Sequence, residues 1–443
     1  MDRQTSDLLQ KDNPWIGKRD ALLPWLQDHI PSNHLKRHQL AEAQKRWGEQ
    51  NKAHLLIGPR QAGKSTAIWQ WLCTREKEVL FIDCEQTLIQ DWCSSAPLFI
   101  SDIKENFPTA PILFFEEVQH LKEASLFFKG IVDRKPGTPI LVSGSSSYSL
   151  QSQTRESLAG RATRARLLPF SYGEIACELE STAPLARTQK QEELFTRHLL
   201  YGGYPDVWLS EQPQIILTDL LESFLIRDAS DLHRIKRPDA FRTLLSLSAQ
   251  QAGSLVNVSE WAQILGLSRD SVYAYLEILQ SMHIIELIRP FAGGKRSELI
   301  RSPKVFWLDN GLRNRLLADF RPPELRQDMG SLLENWVFGE VVKHLPSLAQ
   351  IFFWRSTSGA EVDFVVRYGE KLIAIEVKSS RSPKKQITRS MHSFIDAYEP
   401  ESFGLVHPGL HDREMIANTN IQWIPPREIG PWVKHCLSRD NFK

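Results

Sequence analysis

The stretch Ala53-His54-Leu55-Leu56-Ile57-Gly58-Pro59-Arg60-Gln61-Ala62-Gly63-Lys64-Ser65-Thr66 decides the fold. Its first five residues read as a buried strand, and the segment that follows fits G-x-x-x-x-G-K-S. Two glycines let the main chain curl so that successive N–H groups face inward, and the helix that begins here adds its positive end. A curl of this kind holds polyphosphate. Gly58, Pro59, Arg60, Gln61, Ala62, Gly63, Lys64, Ser65 and Thr66 are therefore candidate nucleotide-binding residues. Lys64 would reach the terminal phosphates of ATP, and Ser65 would ligate Mg2+.

From residue 53 to about 170, short apolar runs alternate with helical patterns, the rhythm of a doubly wound parallel sheet in an α/β protein. The runs are Ala53–Ile57, Glu78–Asp83, Pro111–Phe115, Pro139–Val142 and Arg164–Leu168. Three are almost wholly apolar, as strands covered on both faces are. Leu121, Ala124, Phe128, Ile131 and Val132 recur at helical spacing and predict a core helix. A phosphate-binding loop needs a second element that positions metal and water, and Ile112-Leu-Phe-Phe-Glu116-Glu117 supplies an apolar strand ending in two carboxylates. Glu117 would polarise the attacking water, while Glu116 would sit behind the metal. Most such sites carry Asp where Glu116 stands, so the longer side chain is expected to shift the ion.

The 443 residues are enough for two or three domains. Basic and acidic residues nearly balance, 54 against 53, so any footprint for nucleic acid must be local. Cysteines 73, 84, 93, 177 and 436 are scattered with no C-x-x-C pair, which points to a reducing cytoplasm. The N-terminus is polar, and no apolar run approaches the roughly 20 residues that a membrane span needs. A soluble intracellular protein is expected. The histidines form no H-E-x-x-H or other ligand cluster, so zinc is not expected.

The organisation read along the chain is a helical lead-in over 1–50, a nucleotide-binding core over 51–171 and a helical lid over 172–240 broken by Tyr201-Gly-Gly-Tyr-Pro205. Over 241–310, three helices and a hairpin predict a winged helix. The helices are Phe241 to Ala249, a second from Ser259 with Trp261, Ile264 and Leu265 inward, and a third from Ser268 carrying Val272, Leu276 and Leu279. The third helix is not basic. The wing carries Lys295, Arg296, Arg301 and Lys304 against Glu298, enough for phosphate contacts but not for sequence readout. Those four cations are the candidate DNA contacts.

The last segment, 325–443, holds a hairpin signal in which Val362–Arg367 and Leu372–Val377 flank Tyr368-Gly369-Glu370-Lys371. A symmetric turn would set Asp363 opposite Glu376 and Glu361 opposite Lys378. Alternation then sorts Val362, Phe364, Val366, Ile373, Ile375 and Val377 to an apolar face, and the four charged residues to the other. Two carboxylates opposite on a ladder repel, so the pair needs a cation, either Lys378 or a bound metal.

In these residues the sequence resembles prokaryotic AAA+ ATPases in which the P-loop domain is followed by a winged helix and a C-terminal domain of unknown function. Gly58–Ser65, Glu116-Glu117, Ser143-Gly-Ser-Ser146, Leu158-Ala-Gly-Arg161, Leu168-Pro-Phe-Ser171, Tyr201-Gly-Gly-Tyr-Pro205, Ser302-Pro-Lys-Val-Phe-Trp-Leu-Asp309 and Gly359-Ala-Glu-Val-Asp-Phe364 carry the resemblance. It implies a sensor role for Ser145 and an arginine finger at Arg161, with Arg164 and Arg166 competing for that role. A finger supplied to a neighbour implies a homo-oligomer, in this family a ring. The resemblance also implies a PD-(D/E)XK, restriction-endonuclease-like fold for 325–443. Glu334 would there join Asp363, Glu376 and Lys378 around a second Mg2+ or Mn2+. Three functions follow as expectations: an ATPase acting on DNA, an ATP-gated metal-dependent nuclease, and a nucleotide-dependent signalling switch without DNA.

Overall fold

Five parallel strands form the first sheet: β1 (Ala53–Ile57), β2 (Val79–Asp83), β3 (Ile112–Glu116), β4 (Ile140–Gly144) and β5 (Ala162–Arg166), in the order β2-β3-β4-β1-β5. The computed structural model describes all residues except 19–20, 76, 108, 145–157, 180–183, 223–234, 293–301, 381, 383 and 439–443. It divides into two units, Met1–Pro169 with Ser281–His283, and Phe170–Gln280 with Ile284–Lys443.

In the first unit, successive side chains of each strand feed cores on opposite faces, which is why these runs read as continuously apolar. Leu55, Ile57, Ile82, Phe115 and Val142 pack with residues of the helices Thr87–Trp92, Ala96–Asn106 and Ala124–Asp133. Leu56, Phe114 and Leu141 pack with Trp69, Trp71 and Leu72 of the helix Lys64–Leu72. Each fully buried side chain of this size contributes about 1.5–3 kcal/mol relative to exposure. The 1–50 segment is part of this core rather than an appendage, since Trp15, Leu26, Leu40 and Trp47 lie in the second cluster. β2 is a sheet edge, and the Asn13 side chain completes it. Its Nδ2 donates to Phe81 O at 2.9 Å, and Phe81 N donates back to Asn13 Oδ1 at 2.6 Å.

The second unit opens with helices, including Pro184–Tyr201, Pro238–Gln250, Val258–Leu265 and Arg269–Ser281. Val272, Leu276 and Leu279 are buried as their spacing predicts, but Ile264, expected inward beside Trp261 and Leu265, is 51% exposed. Only eight residues long, the helix Val258–Leu265 presents Val258, Trp261, Ala262 and Leu265 to the core, leaving Ile264 off that stripe. The strands β6 (Ile285–Pro290) and β7 (Lys304–Trp307) then pair antiparallel.

These two strands are not a free-standing wing. β8 (Gln350–Arg355), β9 (Glu361–Tyr368), β10 (Lys371–Val377), β11 (Ser402–Val406), β12 (Asp412–Ile416) and β13 (Thr419–Ile424) complete an eight-stranded sheet ordered β12-β13-β11-β10-β9-β8-β6-β7. β6 joins β8 in parallel through Arg289↔Phe352 and Pro290↔Phe353. The strand pair expected to close a separate domain at 310 is thus one edge of the sheet expected to begin at 325. The helix Met329–His344 lends Phe338 to a stack with Phe306 and Phe364, their ring centroids 4.5 and 5.8 Å from that of Phe338.

Several of the sequence motifs meet in one junction of this unit. Asp309 caps the helix Asn310–Leu317 through the N–H groups of Gly311 and Leu312, and its other oxygen accepts from Gly203 N at 2.8 Å. A Cβ on Gly202 would lie 2.0 Å from Asp309 Oδ1, and its φ of +75° also excludes most side chains. His198 links the same region: Trp336 Nε1 donates to its Nδ1 at 3.0 Å, leaving Nε2 to donate to Phe170 O at 3.0 Å. Ser171 and Glu174 form a reciprocal cap on the helix Tyr172–Ala176. Tyr201-Gly-Gly-Tyr-Pro205 and the Asp309 motif are therefore packing devices.

Candidate functional site

The loop between β1 and the helix Lys64–Leu72 curls through left-handed conformations at Gln61 and Gly63, with φ of 58° and 84°. Gly58 is required by close approach, because a Cβ there would lie 2.0 Å from Leu167 O. Arg37 of the lead-in is buried and donates from Nη1 to Ala62 O at 2.5 Å, tying the loop from behind. Sequence reading missed it, since a lone Arg 25 residues upstream carries no motif.

Lys64 is buried, and its ammonium donates to Gly58 O at 3.2 Å and Pro59 O at 2.8 Å, both carbonyls of its own loop. Burial pulls its pKa down to about 8, opposed by the charges of Glu117 and Glu116. A triphosphate in the curl would supply the anionic partner that these neutral carbonyls replace. Ser65 Oγ donates to Glu116 Oε1. Burial raises the Glu116 carboxyl to about 7 against that hydrogen bond, with Glu117 and Asp83 adding repulsion. Glu116 and Ser65 thus converge from adjacent elements, as a hydroxyl and carboxylate that share a metal's coordination shell would.

Glu117 follows β3 directly, at φ 50°, and accepts from Gln119 Nε2. It stands in a group that sequence reading did not assemble. Ligand atoms of Glu85, Glu117 and His120 all lie within 4.8 Å of one another. His120 Nε2 is 3.6 Å from Glu85 Oε1, and Arg60 Nη2 approaches the same oxygen at 3.9 Å. The available signal was position: Glu85 falls two residues beyond β2, and His120 closes the turn after β3.

Arg161 lies at the opposite end of the strands from the loop of its own chain. Ala53, the first residue of β1, donates to Arg161 O at 3.0 Å, whereas the loop leaves the other end of that strand. Its guanidinium pairs with Asp133, Nε to Oδ1 at 2.5 Å, on the surface. Ser145, Lys295, Arg296 and Arg301 lie outside the described residues.

In the second unit, the β9–β10 register runs from Lys371↔Tyr368 to Ile375↔Phe364, the symmetric pairing read from the turn. Asp363 Oδ2 accepts from Val377 N at 2.7 Å, and Lys378 Nζ donates to Glu376 Oε1. Glu376 is buried, and among the described residues its Oε2 has no hydrogen-bond partner. Lys304, expected as a DNA contact, is only 5% exposed. Its ammonium lies 2.6 Å from Glu361 Oε1 and 3.5 Å from Glu334 Oε1, so it faces carboxylates and is not available to a phosphate. Burial raises Glu334 to about 8, with Asp363 adding repulsion and Lys304 opposing. Asp363 rises to about 6 for the same first reason, relieved by Lys304 and worsened by Glu376. Glu334, Asp363, Glu376 and Lys378 do come together, and Glu361 and Lys304 join them.

Residues 50–176 match the family described as an AAA domain, and two families described as domains of unknown function match residues 192–322 and 329–426. An uncharacterised protein of Mycobacterium tuberculosis is 27% identical over 367 residues, which cover 81% of this chain and 76% of that protein. One from Methanocaldococcus jannaschii is 24% identical over 343 residues, covering 74% of each. Among solved structures, a Walker-type ATPase of Pyrococcus abyssi matches with a TM-score of 0.42 at 17% identity, over 65% of this chain and 97% of that one. No helix among the described residues is long and apolar enough to cross a membrane. The matched domain and the loop geometry together establish an AAA-type P-loop ATPase domain, followed by an α/β region.

Proposed function

We propose that this protein binds and hydrolyses ATP as a cytoplasmic homo-oligomer and uses the cycle to act on DNA through its second unit. The observation that carries the ATPase part is the convergence of Lys64, Ser65, Glu116 and Glu117 at one end of β1 and β3. Lys64 would neutralise the terminal phosphates and Ser65 with Glu116 would hold Mg2+, the ion supplying charge stabilisation when bound. Glu117 orients water. Arg161, at the strand end away from the loop, would serve a neighbour's nucleotide rather than its own, a role that requires assembly.

Contact with DNA now rests on Lys295, Arg296 and Arg301, because Lys304 is engaged inside the second unit. Three cations support backbone contact without base readout. The decisive experiment is ATPase turnover with and without duplex or branched DNA, at low and high salt. Stimulation at low salt that fades at high salt supports the reading. DNA-independent turnover with nucleotide-dependent assembly would instead support the switch reading, which the engagement of Lys304 favours.

A further inference from the structure

We propose that the ammonium of Lys304 holds the cation position of the carboxylate cluster in the eight-stranded sheet, closing with the chain's own lysine a site that would otherwise take a divalent metal ion. The inference goes beyond the ATPase reading and concerns the second unit alone. Among the described residues four carboxylates meet there, Glu334, Glu361, Asp363 and Glu376, and three cations face them. Lys304 lies against Glu361 and Glu334, Arg355 Nε is 3.6 Å from Glu361 Oε2, and Lys378 holds Glu376. One negative charge is left over when Glu334 is ionised, and none when burial keeps it protonated. Without Lys304 one more is left over in either state, and a divalent ion that draws the proton off Glu334 would meet that demand.

The lysine is built in rather than draped over the cluster. Its backbone is fixed on both sides, by Ile288 of β6 and by a bridge to Leu255, while Val256 N donates to Pro303 O at 2.8 Å. Its side chain runs over the Phe353 ring, with Nζ 5.5 Å from the centroid. Gly253 backs the cluster, since a Cβ there would lie 3.1 Å from Glu334 Oε2. Glu376 Oε2, buried and without a hydrogen-bond partner among the described residues, is an oxygen of the kind a hard cation takes. An ammonium offers three hydrogen bonds and one charge, but no Lewis acidity and no bound water of lowered pKa. A sheet closed in this way ties the β6–β7 pair to the carboxylates and does not hydrolyse phosphodiesters.

Mn2+ titration of the full-length, nucleotide-free protein, followed by the electron paramagnetic resonance of free Mn2+, tests the proposal. Wild type and Asp363→Asn are expected to give the same isotherm. Lys304→Met should gain a site at least about tenfold tighter than any in wild type, and Asp363→Asn in that background should remove it. Two outcomes overturn the proposal: Mn2+ binding by wild type that Asp363→Asn abolishes, or a folded Lys304→Met protein that gains no site. Circular dichroism establishes whether Lys304→Met folds, and if it does not, the comparison of wild type with Asp363→Asn decides alone.

Discussion

The P-loop and the carboxylate cluster are both charged and at least partly buried, yet their charges are handled in opposite ways. In the first unit, Lys64 spends its hydrogen bonds on two neutral carbonyls of its own loop, and burial lowers its pKa. In the second, Lys304 and Lys378 lie directly against carboxylates. A buried charge hydrogen-bonded only to dipoles gains from an incoming counter-ion, whereas one already in direct contact with a carboxylate has little left to gain. The first arrangement is open to a ligand, and the second is closed on itself.

The largest expected effect breaks the comparison at its chemical end. Glu117→Gln should keep ATP binding and lower kcat by about 1000-fold, the range of a lost general base or water-orienting group. Turnover near wild type would remove Glu117 from the site, leaving Glu85 and His120 as the other members of its group to test. In the second unit, Lys304→Met should destabilise the fold by about 3 kcal/mol, because it takes the nearest cation from the partly buried Glu334 and leaves Glu361 only Arg355. Urea unfolding followed by tryptophan fluorescence measures this. A cost below about 1 kcal/mol would mean that the pair behaves as an exposed one and that the cluster is not closed. Third in size, Lys64→Ala should weaken ATP binding by about 100-fold, the loss of a charge-assisted contact worth roughly 3 kcal/mol. Equilibrium binding of a fluorescent ATP analogue reads it directly.

The two regions also differ in how much of them was legible from sequence. The P-loop is local: strand, curl and helix lie within Ala53–Leu72, so residue spacing alone carries its geometry. The β9–β10 register was legible for the same reason, since a two-residue turn with φ +61° at Gly369 fixes every pair that follows it. Lys304 was not legible. In sequence it ends a basic run with Lys295, Arg296 and Arg301, and nothing local distinguishes a lysine that faces phosphate from one that faces Glu334 and Glu361, 30 and 57 residues onward. What decides it is the parallel pairing of β6 with β8, a contact of two residues across a gap of more than 60. Asn13 and Arg37 escaped for a similar reason, as their partners Phe81 and Ala62 are reached only after the sheet has formed.

The smallest predicted effect tests the openness of the P-loop by proton counting. The folded chain holds Lys64 at about 8 against a usual 10.5. Between those values the unfolded chain binds more protons than the folded one, so this group makes stability rise with pH across that window. A triphosphate beside Nζ acts in the other direction, favouring the charged form and lifting the pKa back above the window. ATP binding at pH 9 should therefore take up roughly nine-tenths of a proton, at pH 7 roughly a tenth, and affinity should fall about tenfold between the two. Calorimetry at pH 9 in two buffers of different ionisation heat gives the number. Identical heats would mean that Lys64 is already fully charged without nucleotide. In that case its loop carbonyls would satisfy it as fully as Glu361 satisfies Lys304, and the distinction between an open and a closed site would fail at the residue where it is sharpest.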